Sequence, residues 1–321
     1  MTDWLLAGPP WVSYRARLDL LSQAADDPDV SAARQAMLKD PQVKVLVEEL
    51  TAWPGGALKR HNDASHALHK LAFLADLGLT GTEVVLQPVL DRILAHQSGE
   101  GAFQIIVNIP ARFGGSGEDE WQWMLCDAPT TLYALLIFGL GDDPRVQKAA
   151  AHLAGLIREN GWPCTAASEM GTFRGPGRKG DPCPYANLIA LKALAQSKEW
   201  QQEREVCRNG AESLLSLWEQ RKERKPYLFG MGTYFAKLKA PLIWYDLLHV
   251  LDVLSQFPWL LDDLRLREMA GLLAAKADPQ GCFTPESVWM AWKGWEFAQK
   301  KEPSRWVTLL AQTALQRVGA Q

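Results

Sequence analysis

Three segments of the chain end alike. Gln97-Ser-Gly-Glu-Gly101-Ala-Phe103, Glu159-Asn-Gly161-Trp162 and Asp278-Pro-Gln-Gly281-Cys-Phe283 each pass from an acidic or amide turn through glycine into an aromatic residue. The glycines are 60 and then 120 residues apart, which is one period and then two. A unit of that length copied along a chain buries a common core only by stacking on its neighbours. The register predicts a further copy near position 221, where Arg221–Gly230 runs into Tyr227 and Phe229, and a weaker first copy at Trp53-Pro-Gly55-Gly56.

An amphipathic helix precedes each glycine turn. Val146, Ala149, Ala150, Leu153, Leu156 and Ile157 recur at i, i+3, i+4, and Asp142-Asp143-Pro144 is a helix start with proline behind an acidic cap. The same periodicity holds for Val84–Leu94 before Gly101 and for Leu264–Leu273 before Gly281. Further upstream lie helices that are apolar nearly all round: Ala67–Leu79, Ala128–Leu140, Tyr185–Ala195 and Leu242–Leu254. A helix apolar on every side is buried on every side. The alternation predicts about six helix pairs, near 12–50, 62–97, 128–159, 183–221, 241–276 and 286–318. Neither end carries the polar cap that an open solenoid needs. The expected fold is therefore all-α, an (α/α)6 toroid over residues 1–321 as a single domain, with inner helices walling a lumen. Gln104–Cys126, Pro163–Pro182 and Lys222–Ala240 each join an outer helix to the next inner one, so they belong at one end of the ring, and loops that long are usually functional. A short strand is expected in Phe103–Ile109.

Composition narrows the function classes. Lys plus Arg total 34 against 37 Asp plus Glu, a net charge of −3, which offers no basic face for nucleic acid. Apolar runs such as Thr130–Leu140 are too short for a membrane span of roughly 20 residues, and Met1–Gly8 has no basic start of a signal peptide. Five scattered cysteines without a CxxC fit reduced thiols in a cytoplasm. Fourteen tryptophans call for a deep core or an aromatic cavity.

Gln97–Phe103 resembles the repeats of squalene–hopene cyclases and of protein prenyltransferase β-subunits. The resemblance covers most of the chain at fold level and extends to short stand-alone bacterial toroids with such repeats. It implies an α/α toroid whose aromatic central cavity takes a small hydrophobic or isoprenoid-like molecule, and it implies no settled activity. The cyclases protonate an alkene with the middle acid of an Asp-x-Asp-Asp-Thr run. Here the matching stretch is Asp127-Ala-Pro129-Thr130-Thr131, with proline in the donor's place, so proton-initiated cyclisation is not expected. Prenyltransferases hold zinc with an Asp-x-Cys pair and a later histidine. Asp181-Pro182-Cys183 resembles that pair, Asp246 stands where the histidine belongs, and His249 lies one turn on. The implied zinc ligands are Asp181, Cys183, Asp246 and His249, a donor set zinc accepts. A plain N-cap at Asp181 with Pro182 as first helical residue explains the same motif without metal.

The remaining polar and aromatic residues complete the candidate site. Asp127, Asp246 and His66 are the candidate acid–base residues at the inner-helix N-termini. His61, Asp63 and His69 cluster about His66, and Asn62, Asp63 or Ser65 as a simple cap accounts for part of that cluster. Trp121, Trp123, Tyr185, Trp244 and Trp289 are candidate substrate-binding aromatics, Trp289 heading a Trp289, Trp292, Trp295 series beside the last inner helix. Arg174, in a Gly-rich basic loop, is a candidate for a phosphate or carboxylate. Paired carboxylates among Asp63, Asp127 and Asp246 would instead suit a carbohydrate-active (α/α)6 barrel, and a ring that lost both motifs would suit a non-catalytic scaffold.

Overall fold

The computed structural model describes residues 1–171, 173, 178–202, 205–223, 225 and 229–319. In chain order the helices are α1 (Thr2–Leu6), α2 (Pro10–Asp19), α3 (Pro28–Lys39), α4 (Pro41–Leu50), α5 (Ala67–Asp76) and α6 (Gln87–Ala95). After the strands β1 (Ile105–Asn108) and β2 (Asp119–Gln122) come α7 (Ala128–Ile137), α8 (Pro144–Gly155), α9 (Pro184–Leu194), α10 (Lys198–Gln201) and α11 (Glu205–Glu219). The last three are α12 (Leu247–Leu254), α13 (Leu264–Ala274) and α14 (Arg305–Val318). Among the described residues the protein is thus mostly α-helical, with one two-stranded antiparallel hairpin pairing Ile105 to Gln122 through Asn108 to Asp119. None of the described helices is long and apolar enough to cross a membrane.

The chain forms two compact units. The central unit is 48–232, and the terminal unit joins 1–47 to 233–319. In the central unit α5 packs on α7, α7 on α9 and α9 on α11. Every residue of α9 is buried, and α7 is buried from Pro129 to Leu135, as the all-apolar patterns predict. One buried polar cluster pins three of these helices. Lys192 Nζ of α9 lies 3.1 Å from Asp76 Oδ1 of α5, Tyr133 Oη of α7 donates to the same oxygen at 2.6 Å, and the ammonium sits over the Tyr133 ring. In the terminal unit α12, α13 and α14 pack together, and α14 also packs on α1 and α2, so the start and the end of the chain share one core.

The repeated turns share a backbone device. Gly101, Gly161 and Gly281 all have positive φ, a region other residues enter at a cost. The aromatics that follow, Phe103, Trp162 and Phe283, are almost fully buried. An amide side chain holds each turn. Gln97 Nε2 donates to Gly101 O and Gln312 Nε2 to Gly281 O, each at 2.7 Å. Asn187 Oδ1 accepts from Trp162 N, while its Nδ2 donates to Trp162 O, both at 2.9 Å. The weak first copy fits as well, Gly55 having φ +76°. Of the copy near 221, Arg221–Glu223 form a turn and Tyr227 lies outside the described residues.

Several boundaries differ from expectation. No inner helix forms over 286–304, where only one helical turn, Met290–Trp292, interrupts the loop. Gly294 at φ +105° and Pro303 break any helical run there. Trp292 and Trp295 instead join Trp11 and Phe297 in a ring cluster with neighbouring centroids 5.1–5.7 Å apart along Trp11, Trp295 and either partner. Helix α12 begins at Leu247 rather than Leu242, capped by Asp246, and α9 begins at Pro184 with Cys183 as N-cap. Asp181 is therefore not the cap of α9. Cys183 N donates instead to Trp162 O at 2.8 Å, which keeps 182–183 extended.

Candidate functional site

The central unit gathers its polar groups where α5, α7 and α9 begin. Asp127 is the N-cap residue of α7, yet its carboxylate caps nothing. By contrast Asp27, Asp143, Asp246 and Asp263 all accept a backbone N–H of their own helix. Asp127 Oδ1 pairs instead with His61 Nδ1 at 2.9 Å, and Asp127 Oδ2 is buried with no hydrogen-bond partner among the described residues. Asp127 is 1% exposed, whereas the His61 side chain keeps 32% of its surface. Burial acts to lower the His61 pKa, but the Asp127 charge and hydrogen bond outweigh it, so the imidazolium persists above its ordinary range. An imidazole held through Nδ1 by a buried carboxylate exchanges its proton at Nε2, the arrangement of an oriented general acid–base.

His66 is otherwise engaged. Its Nδ1 accepts from Leu68 N as the cap of α5 and its Nε2 bonds Gly56 O at 2.9 Å, while burial lowers its pKa. The cap is thus His66 itself, not Asn62, Asp63 or Ser65. Asp63 is half-buried and accepts from Ser65 Oγ and N, which lowers its pKa. His69 Nε2 bonds His61 O, and burial lowers its pKa to about 4. Of this group, His61 is the one that meets Asp127.

Three thiols border the pair. Cys126 precedes Asp127, and its Sγ lies 3.9 Å from that of Cys183. Cys164 lies close enough to raise the pKa of both. Tyr185, also fully buried, hydrogen-bonds Thr130, and its hydroxyl is held protonated by burial and by the charge of Asp127. Cys126 and Cys164 are functional candidates that sequence patterning missed, because isolated cysteines far apart in the chain carry no spacing signal.

The other candidate aromatics are mostly committed to structure. Trp123 is 2% exposed, donates Nε1 to Glu100 Oε2 at 2.6 Å and meets the His152 ring edge-on. The apolar gap beside it measures about 10 Å³, room for about one water. Trp121 stacks flat on His96 at 3.5 Å. Arg174 lies outside the described residues.

A second group forms in the terminal unit. Asp246 Oδ1 accepts from His249 N at 3.0 Å, and His249 Nδ1 bonds Trp244 O at 2.8 Å. Lys239 Nζ sits 3.4 Å above the centre of the Trp289 ring, whose Nε1 donates to Pro241 O. Burial pushes the Asp246 carboxyl up to about 7, against the pull of the His249 N–H and Lys239. The same unit has an open cleft of about 700 Å³ lined by Trp4, Trp295, Glu296, Glu302 and Arg305, in the size range of ligand pockets and not anticipated from sequence.

Asp181 and Cys183 belong to the central unit, Asp246 and His249 to the terminal one. Among the described residues no group of three or more His, Cys, Asp or Glu side chains is disposed to hold one metal ion.

No protein-family profile and no curated protein matches the chain. Among solved structures it is similar to the crystal structure of a protein from Actinoplanes, with 16% identity, 97% of this chain and 89% of that chain covered, and a TM-score of 0.41.

Proposed function

We propose that the chain is a cytoplasmic α/α toroid of the terpenoid-cyclase and prenyltransferase kind that performs acid–base chemistry on a small hydrophobic, isoprenoid-like molecule. The observation that carries the chemical reading is Asp127. A carboxylate at a helix N-cap ordinarily satisfies its own helix, for about 1 kcal/mol. This one is turned to His61 and keeps a buried oxygen unpaired, an arrangement that favours a poised imidazole over helix stability. The hydrophobic character of the ligand is supported by the apolar inner helices and the fold-level resemblance. Five free cysteines support the compartment. The ring is supported by alternating buried and amphipathic helices and by the packing of α14 on α1 and α2. Pro129, in the place of the cyclases' proton donor, keeps alkene protonation out of the reading.

Histidine-labelled protein titrated by NMR tests it. Farnesol is expected to shift the His61 resonances, and Asp127→Asn to bring the His61 pKa down toward the ordinary imidazole value. Histidines indifferent to farnesol and geranylgeraniol would sink the ligand reading and favour a scaffold. An unchanged His61 titration in the Asn variant would sink the acid–base reading.

A further inference from the structure

We propose that Cys126, Cys164 and Cys183 form a thiol–disulfide exchange site that takes a small organic disulfide and ends as a Cys126–Cys183 disulfide. Nothing in this proposal depends on the acid–base role of His61. The three residues are distant in sequence, and backbone bonds bring their segments together. Leu125 N donates to Thr165 O and Ala167 N to Trp123 O, both at 2.9 Å, while Cys183 N donates to Trp162 O at 2.8 Å. The thiols therefore sit on a braced platform of three strands of chain. Cys126 and Cys183 are both buried with their sulfurs 3.9 Å apart, in contact but unbonded. A disulfide needs about 2.05 Å, so forming it closes the gap by about 2 Å. Cys164 lies close enough to both to act on their ionisation and is the most accessible of the three.

Accessibility divides the roles. Cys126 is held protonated by its bonds to Cys164 and Cys183 and by burial. For Cys183, the bond from Cys126 lowers the pKa, but Cys164 and burial raise it further, to about 12. Thiols in that state are slow to attack from solution. Cys164, half-buried where the other two are buried, is the point of access.

The chemistry balances without an added co-reactant. The Cys164 thiolate attacks the disulfide RSSR, forming Cys164–S–S–R and releasing RS⁻. Cys126 then attacks the Cys164 sulfur, its proton going to the second RS⁻ as that leaves. Cys183 attacks the Cys126 sulfur of the Cys126–Cys164 bond and its proton passes to the departing Cys164 sulfur, while the first RS⁻ takes up the proton that Cys164 gave up on ionising. In sum two protein thiols are oxidised to one disulfide and RSSR is reduced to two RSH.

Intact protein exposed to oxidised glutathione, quenched in acid and alkylated after unfolding, reads the outcome. The alkylatable thiols are expected to fall from five to three, with peptide mapping placing the bond between Cys126 and Cys183. Cys164→Ser is expected to slow this at least about ten-fold, Cys207→Ser to leave it unchanged, and the double variant Cys126→Ser, Cys183→Ser to trap glutathione on Cys164. The Cys207 control and the trapping variant keep the result independent of whether Cys164→Ser folds. Five free thiols after prolonged exposure would overturn the proposal. So would a lasting glutathione adduct on the unsubstituted protein, or thiols masked beforehand until a chelator is added, which would assign them to a metal.

Discussion

Gly161 does two things that no other residue type does together. Its φ of +105° is open only to glycine at low cost, and a Cβ there would stand 2.5 Å from Asn187 Oδ1, the atom that accepts from Trp162 N. Gly161→Ala should therefore lose about 2–4 kcal/mol in urea unfolding. Gly271, helical and exposed in α13 with nothing near its Cβ position, should respond in the opposite sense, Gly271→Ala gaining about 0.5–1 kcal/mol. Asp246 carries a pH signature. Its carboxyl binds a proton up to about pH 7 in the folded state but only to the usual acidic range when unfolded. Stability from this group is complete below the unfolded value and is lost as pH rises from about 4 through about 7. Asp246→Asn keeps a capping side chain and cannot ionise, so its stability advantage over the parent should grow across that window, to something on the order of 3–4 kcal/mol. A constant difference from pH 4 to 7.5 would refute the assignment.

Helices α5, α7 and α9 are so uniformly apolar that hydrophobicity alone leaves their relative rotation loosely specified. The Asp76–Tyr133–Lys192 cluster supplies the missing specification, since a buried charge is stable only in the one register that pairs it. Lys192→Ala leaves Asp76 buried without its cation and should cost about 3–5 kcal/mol. The double variant Asp76→Asn, Lys192→Met removes both charges and should recover most of that loss in the same denaturation assay. Equal losses for the single and double variants would mean that packing, not charge pairing, sets the register. The helix starts were largely readable because caps are local: Asp143-Pro144 and Asp263 begin α8 and α13 as their residue types dictate. The side chains of Asp127 and Asp181 look like caps of α7 and α9 and do not act as such, because partners far along the chain, His61 for one and the Trp162 backbone for the other, claim those segments.

Unit membership makes the two ends of the chain interdependent. Removing residues 1–19 strips α1 and α2 from the face of α14 that they cover. Hydrogen exchange in α14 should then accelerate on the order of ten-fold or more, while amides of α7 and α9 in the central unit keep their protection. Unaltered exchange in α14 would show that its packing on α12 and α13 suffices.

Helical class, the buried-against-amphipathic alternation and the glycine turns were legible in the amino-acid order, because they depend on contacts within about five residues or on a period that repeats. The 286–304 segment failed that reading: tryptophans three apart mimic a helix face, but a left-handed glycine in its middle and a proline near its end interrupt the helix, and Trp295 pairs with Trp11 instead. Which side chains meet was decided by folding. His61 and Asp127 are 66 residues apart and Cys126 and Cys183 are 57 apart, and each pairing exists only once the loops between helices have closed. Local chemistry chooses the element a residue enters. Long-range closure chooses its neighbours, and reactivity belongs to neighbours.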